Sequence, residues 1–315
     1  MHVRAVVPLY PPFSLVGSWL STHEFLAAMV ERGHTVAVTA YNTHTRTVVH
    51  DGVTVESHFR GVGSPDVVVG HAGDDGSARI TAQRAGVPLV VMVHGSAPPD
   101  VLAAKLEGAA LAVFPSQALA DDVAWAGRSI VAHPPLDPDR YATEPGDAVT
   151  LVNLSAEKGG EVFWACAEAL PGTTFLGVEG GYGQQLRYSG HPNVGLQRLT
   201  SDMAGQVYAR TRILLMPSAH ETWGRVALEA AASGIPTIAH PHPGVREALG
   251  RSGTYVDRDD VDGWVAAIRS LSTPSVWARK STAARRRAHC WWDHRAQLDR
   301  FATAVEEVAA CVPSC

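Results

Sequence analysis

The chain has 315 residues, 46% of them hydrophobic and 18% charged, with a formal net charge of −5. That balance excludes a disordered chain, and the length suits about two domains, each with a core of its own. No apolar run approaches the roughly 18 residues of a membrane span, MHVRAVVPLYPPF lacks an export-signal pattern, and the four cysteines (Cys166, Cys290, Cys311, Cys315) make neither a disulfide framework nor a C-x-x-C pair, so a reducing cytoplasm is the expectation.

Along the first 140 residues, short β-branched runs alternate with helix-like stretches. VRAVVPL comes first, then a helix to Arg32, HTVAVTA, DVVVG, PLVVMVH, LAVFPS and SIVAHPP. Fully buried parallel strands read as continuous apolar runs and each needs a crossover, so the alternation predicts a doubly wound α/β unit. Prolines and turn formers around 133–138 and 144–147 predict a linker, with a first domain over 1–143 and a second over 144–290. The second has strands AVTLVNLS, TTFLGVEGG, RILLMPS and IPTIAH, and helices over roughly 160–170, 202–210, 224–233, 243–250 and 260–271. In the last stretch, 291–315, Leu298, Phe301, Val305 and Val308 recur at helical intervals, so an amphipathic helix there must pack on something. The run Ala284–Arg287 before Trp291-Trp292 reads as a solvated helix face and a buried tryptophan pair, with weak peripheral membrane contact as the alternative.

In open parallel sheets, ligands bind beyond the carboxyl ends of strands, where loops enter helices. Four stretches fall at such places. The loop 10–18 carries Gly17 before a helix from about Trp19. It reads as a plain turn or as a spot where amides approach an anion, and its spacing is not G-x-G-x-x-G, which counts against a nicotinamide dinucleotide. His94-Gly95 closes PLVVMV and can offer a donor or an acceptor to a ligand, although one of fifteen histidines means little alone. Lys158-Gly159-Gly160 follows a strand and opens a helix; it offers a phosphate a point charge and free amides, or is a solvated lysine in a turn, and it lacks Walker spacing.

The fourth stretch runs from Pro217 to Pro236, where a strand feeds a helix with Glu221 ahead of it, Glu229 in its second turn and Gly234-Ile235-Pro236 ending it. Amides at 222–226 can hold a diphosphate, while Glu229 accepts ribose hydroxyl protons and Glu221 those of a sugar. The alternative is helix N-terminal acids over an alanine-rich packing face.

Together these residues resemble the retaining glycosyltransferases of the GT-B fold, most closely the large family four (glycosyl transferases group 1). The family pattern E-x-F/Y-G-x-x-x-x-E, then G-x-P, stands here as Glu221-Thr222-Trp223-Gly224 through Glu229 and Gly234-Ile235-Pro236. Arg32–Val36, His94-Gly95, Pro115-Ser116 and Leu154–Gly159 fall in family order. The resemblance implies two Rossmann-like doubly wound domains facing a cleft, with the C-terminal helix crossing back to the first. It implies transfer of a sugar from a nucleoside-diphosphate sugar to an acceptor hydroxyl, with retention, no metal and no other cofactor.

By the same resemblance, Lys158 pairs with the diphosphate, Glu229 holds the ribose and amides of Trp223, Gly224, Arg225 and Val226 cradle phosphate. Glu221 binds hydroxyls of the transferred sugar, His94 positions it, and Gly17, Asn153, Gly180, Gly181 and Thr222 complete the donor site. Two departures stand out. The family usually has a glycine pair where this chain has Val16-Gly17, and an arginine where it has Asn153, so Lys158 and Arg225 must carry more of the charge. Asp74-Asp75 and Asp257–Asp260 read as solvated turns and not as metal ligands.

Residues 1–150 hold nine Lys and Arg against fifteen Asp and Glu, and 151–315 hold seventeen against sixteen. That charge disfavours nucleic acid and leaves a small molecule, a neutral glycan or a protein side chain as acceptor. Trp19, Tyr41 and Asn42 follow strand ends and could line its floor, core packing being the alternative for the tryptophan. A non-catalytic nucleotide-sugar binder and a sugar-nucleotide epimerase are the rival readings.

Overall fold

Strand and crossover helix build two units, Met1–Pro135 with the segment from His294 onward, and Leu136–Asp293. The computed structural model describes residues 1–43, 46–57, 64–95, 97–289 and 293–311, so Cys290, Trp291, Trp292 and Cys315 lie outside the described residues. The division falls ahead of the 143/144 boundary suggested by the prolines. Leu136 is buried in the second unit's core, and Tyr141 is fastened there, accepting from Ser233 Oγ through its carbonyl at 2.7 Å and from Arg225 through its hydroxyl at 3.1 Å.

In the first unit the elements run β1 (His2–Val7), α1 (Gly17–Glu31), β2 (Thr35–Ala40), β3 (Val48–His50), β4 (Val53–Glu56), β5 (Val67–His71), α2 (Ser77–Ala85), β6 (Leu89–Met92), α3 (Pro99–Lys105), β7 (Leu111–Phe114), α4 (Gln117–Val123) and β8 (Ser129–Val131). Among the described residues they form one eight-stranded sheet, ordered β3-β4-β2-β1-β5-β6-β7-β8 and parallel except for the β3–β4 hairpin. That hairpin turns on Asp51-Gly52, both at positive φ (46° and 77°), as a two-residue turn matched to strand twist requires. Its tip is docked on α1. A Cβ on Gly52 would lie 2.7 Å from Val30 Cγ1, and His23 stacks on His50 at 4.3 Å while bonding Asp51 through Nε2 (3.0 Å) and Tyr10 OH through Nδ1 (2.9 Å).

The second unit runs β9 (Ala148–Val152), α5 (Gly160–Ala169), β10 (Phe175–Val178), β11 (Val194–Gln197), α6 (Met203–Gln206), β12 (Thr211–Met216), α7 (Arg225–Ala232), β13 (Thr237–Ala239), α8 (Pro243–Leu249), β14 (Thr254–Tyr255), α9 (Val261–Ser272) and α10 (Pro274–His289). Its six strands, ordered β11-β10-β9-β12-β13-β14, are all parallel. The basic run on α10 is a solvated face at Arg285 and Arg286, with Arg287 half-buried. Ala284 packs on Ala231 and Ala232, Arg285 donates to Ser233 O (3.0 Å), and Arg287 donates to Ala248 O (2.6 Å) and Glu247 O, so both arginines bond carbonyls at helix ends. Among the described residues, no helix is long and apolar enough to cross a membrane.

The last helix, α11 (His294–Ala310), joins the first unit. Phe301, Ala302, Ala304, Val305 and Val308 are buried in its core, with Phe301 4.7 Å from Phe25 ring to ring, and Arg32 bonds Glu306 at 2.8 Å. Phe301→Ala is therefore expected to cost about 3–5 kcal/mol in urea denaturation.

Two buried imidazoles set a pH dependence. Burial lowers the pKa of His23, against the opposing pull of Asp51, and burial lowers that of His71 well below the ordinary value. Below pH of about 6.5 the unfolded chain binds protons that the folded chain refuses, so stability falls as pH falls. Denaturation at pH 7.5 and 5.5 should show a loss of up to about 1.4 kcal/mol per pH unit per imidazole, reduced in His71→Phe.

Candidate active site

The site is built on strand ends of the second unit. β9 ends into Asn153, which holds φ +71°, a left-handed conformation that asparagine tolerates better than most side chains. Its amide is a pivot of the loops. Oδ1 accepts from Ser155 N–H (3.0 Å) and Gln185 Nε2 (2.9 Å), and Gln185 Oε1 accepts from Leu154 N–H and Gly180 N–H, each at 2.9 Å. A Cβ on Gly180 would come within 2.2 Å of Asn153 Cγ, so that glycine serves close packing.

Next along the chain, the turn 155–160 is pressed against the loop that follows β12. A Cβ on Gly159 would lie 2.4 Å from Pro217 Cγ, and one on Gly160 2.3 Å from Leu154 O. Ala219 N–H donates to Glu157 O at 2.7 Å, and Arg258 clamps both loops by donating to Pro217 O and Ala156 O, each at 2.6 Å. The two backbones so joined carry Lys158 Nζ to 2.7 Å from Glu221 Oε1, which also accepts from Ser218 Oγ at 3.0 Å. Burial works to lower the Lys158 pKa, but Glu221 and Tyr182 outweigh it and the net shift is upward. Lys158 is therefore a fixed cation at neutral pH.

Helix α7 begins at the same edge. Gly224, at φ +92°, turns the chain into it, Trp223 is buried, and α8 presses on the Thr222–Trp223 peptide so closely that a Cβ on Gly244 would lie 2.1 Å from Thr222 O. Val226 is half-buried on the first turn. The charge expected of Arg225 is engaged elsewhere. Its Nε donates to Glu229 Oε1 at 2.8 Å, and Tyr208 OH donates to Glu229 Oε2 at 2.8 Å, all three side chains being buried. Each Glu229 oxygen thus already carries one protein donor, and each keeps a second lone pair.

Gly17 and His94 belong to the first unit. Gly17 opens α1 behind Val16, with no side-chain cap. His94 is 9% exposed and stacks on His71 at 5.3 Å, and Trp19 is buried in the core of this unit with its ring 4.6 Å from that of His71. The aspartates act as turn formers: Asp74 accepts from Gly76 N–H (2.8 Å), Asp257 from Asp259 N–H (3.2 Å) and Asp260 from Gly263 N–H (2.8 Å). Among the described residues, the cluster with metal-ligand proximity is His23, His50 and Asp51. The two imidazoles lie within 16° of parallel, a pose in which one ion cannot sit in both ring planes.

Sequence reading missed Gln185, Tyr182, Ser218, Tyr208 and Arg258. Ser218 was within reach, three residues before Glu221 on the same loop; Arg258 bonds a carbonyl 101 residues away, a contact no local spacing reports.

Residues 174–273 match the family described as Glycosyl transferases group 1. Curated proteins similar to the chain include sulfoquinovosyl transferase SQD2 of Arabidopsis thaliana, 32% identical over 127 residues, covering 38% of this chain and 25% of the relative. Another is the D-inositol 3-phosphate glycosyltransferase of Mycolicibacterium paratuberculosis, 26% identical over 318 residues, covering 92% and 64%. The chain thus spans less than two thirds of the length of these relatives. Among solved structures, sucrose-phosphate synthase from Thermosynechococcus elongatus superposes with a TM-score of 0.79 at 14% identity, covering 99% of this chain and 100% of the other. Anabaena Alr3699/HepE in complex with UDP-glucose gives 0.76 at 17%, covering 97% and 99%. The chain, similar to the glycosyl transferases group 1 family over residues 174–273, has the GT-B fold of two units built on sheets that are parallel apart from the β3–β4 hairpin.

Proposed function

We propose that the chain moves a sugar from a nucleoside-diphosphate sugar to an acceptor hydroxyl, with retention of configuration and with no metal or other cofactor. The observation that carries this reading is the contact of Lys158 with Glu221 at 2.7 Å beside the start of α7. A diphosphate arriving there meets an ammonium that is already charged and the amides of a helix start, which attract anions through the helix dipole. Lys158 then turns from the carboxylate to the phosphate, and Glu221 is left to accept hydroxyl protons of the sugar.

In the reaction the bond from the anomeric carbon to the diphosphate oxygen breaks through an oxocarbenium-like state. Lys158 and the amides of Trp223 to Val226 stabilise the charge that develops on the leaving oxygen, the work a divalent ion does elsewhere. The acceptor oxygen attacks the same face, and its proton passes to the departing phosphate. Glu229 holds the ribose through its remaining lone pairs, while Asn153, Gly180, Gly181 and Thr222 shape the wall.

HepE was solved with UDP-glucose, so uridine diphosphate sugars are the first donors to try. The acidic first unit suits an uncharged acceptor. Cys166 is a buried free thiol whose pKa burial pushes up to about 12, and Cys311 is free and exposed, which suits a reducing cytoplasm. A second reading, a binder without turnover, is favoured by Asn153, whose buried amide supplies no charge where the family usually has an arginine.

Assay with a panel of nucleotide sugars should give transfer or slow donor hydrolysis, with Lys158→Ala and Glu221→Ala each lowering kcat by about 100-fold or more. Full activity in both variants sinks the reading. Donor binding without turnover selects the binder, and a changed sugar still attached to its nucleotide selects an epimerase.

Glu229→Ala carries a separate expectation. It removes the carboxylate that both Arg225 and Tyr208 bond, so about 3–5 kcal/mol of stability should go as well, visible as a lowered Tm without ligand. Glu229→Gln, which keeps an acceptor for Arg225, should retain more of that stability, and equal losses in the two would refute a role for the Arg225–Glu229 bond in it.

A further inference from the structure

The loop after β10 brings a phenol to the Lys158 ammonium. Burial opposes the charge of Lys158, but Glu221 and Tyr182 outweigh it. Burial likewise raises the pKa of Tyr182, with Lys158 pulling the other way, so at pH 7 the ammonium is charged and the phenol keeps its proton. The Tyr182 side chain is 41% exposed, so a molecule arriving at Lys158 reaches it as well. What holds the phenol there is the polar anchorage of its backbone. Tyr182 O accepts from Asn153 Nδ2 at 3.3 Å and from Gln185 Nε2 at 2.9 Å, and Gln185 Nε2 also bonds Gly183 O at 3.0 Å. At Gly183 the loop meets the Lys158 turn by packing: a Cβ there would lie 2.9 Å from Ser155 Cβ, and Ser155 Oγ is buried with no hydrogen-bond partner among the described residues.

This anchorage gives Asn153 a task other than supplying charge. Both halves of its amide are engaged within the fold, Oδ1 with Ser155 N–H and Gln185 Nε2, and Nδ2 with Tyr182 O. The residue is 6% exposed, so it acts on a ligand through what it holds in place. The phenol it holds has one O–H donor, and without a ligand the Lys158 ammonium donates to Glu221 Oε1 at 2.7 Å and His220 O at 3.4 Å. A phosphate that draws Lys158 away from Glu221 presents its oxygens to the phenol too, and an O–H donor bonds an anionic oxygen more strongly than a neutral one. The phosphate concerned is the one next to the sugar, because Glu221, the partner Lys158 leaves, is the group that takes the sugar hydroxyls. A donor aimed at that phosphate gains strength as charge builds on the leaving oxygen.

We propose that Tyr182 is a further catalytic residue, its hydroxyl donating to the sugar-side phosphate of the leaving diphosphate, and that Asn153 is its positioning residue, acting through the Tyr182 carbonyl. The assignment rests on the nucleoside-diphosphate reading above. It goes beyond that reading in putting a neutral, anchored donor where Asn153 alone supplies no charge.

The test is calorimetric titration of the full chain with UDP, GDP, ADP and dTDP, each beside its own monophosphate, in a double-mutant cycle. Tyr182→Phe removes only the hydroxyl. Asn153→Gly removes the anchor while tolerating the positive φ of that position, and Gln185→Leu tests the same anchor if Asn153→Gly does not fold. Affinity for the preferred diphosphate should weaken about tenfold or more in Tyr182→Phe, with its monophosphate bound as in the parent. Loss of the anchor should weaken diphosphate binding in the parent and cost nothing further in Tyr182→Phe, a non-additivity that general loosening of the fold would not give. The proposal is overturned if none of the four diphosphates binds, if Tyr182→Phe binds the diphosphate as the parent does, if it loses monophosphate and diphosphate alike, or if the two substitutions add. Sugar transfer with unchanged diphosphate affinity in Tyr182→Phe would remove Tyr182 and keep the transfer reading. Diphosphate binding that depends on Tyr182 in a protein that transfers no sugar would keep its phosphate contact, remove the transfer reading and with it the word catalytic.

Discussion

Two charged side chains from separate strand-end loops meet because the backbones beneath them touch. Lys158 and Glu221 lie 63 residues apart, and each retains a little exposure, 16% and 18%. A pair in that setting is neither fully hydrated nor sealed away, so its attraction is modest and a stronger anion can displace the carboxylate. The backbone lock is what makes the geometry repeatable. With Gly159 against Pro217, Ala219 bonded to Glu157 and Arg258 bridging both loops, the backbones that carry the ammonium and the carboxylate are held together. The same contacts revise the meaning of the glycines. In sequence Gly159-Gly160 reads as backbone left open for a phosphate; in the structure the space a side chain would need is filled by Pro217 and Leu154. Glycine there serves loop-to-loop packing, which in turn aims the lysine.

The fold was legible because parallel strands are buried on both faces and must read as unbroken apolar runs; Val67–Val69 and Val90–Val91 are fully or almost fully buried. The β3–β4 hairpin was not read, although Asp51-Gly52 carried the turn signal, because its strands are only three and four residues long. The division at Pro135–Leu136 lies inside the first proline stretch, 133–138, while the 143/144 boundary falls later, since proline content marks where regular structure stops and says nothing of which core claims Leu136. At the site, Lys158, Glu221 and Glu229 stood out as charges at strand ends. The partners that set their state did not. Tyr208 and Gln185 resemble any surface residue in sequence, and only the fold brings one under Glu229 and the other between Asn153 and Gly180.

Glu221 and Glu229, eight residues apart in a single motif, are physically different acids. Glu229 is sealed in a network in which Arg225 holds one oxygen, Tyr208 holds the other, and Tyr141 receives a second bond from Arg225. Both of its oxygens are fixed before any ligand arrives, so a hydroxyl that donates to it finds a prepositioned acceptor and no partner has to leave. Glu221 is half-buried, and its partner is a lysine whose other potential partner is the incoming phosphate. In the proposed reaction, then, reorganisation falls on Glu221 and Lys158, while Glu229 supplies a fixed frame. This division also explains why Arg225 does not stand in for the arginine replaced by Asn153. Withdrawing it from Glu229 would leave a buried carboxylate without its cation, so the positive charge available to a leaving group at this edge comes from Lys158.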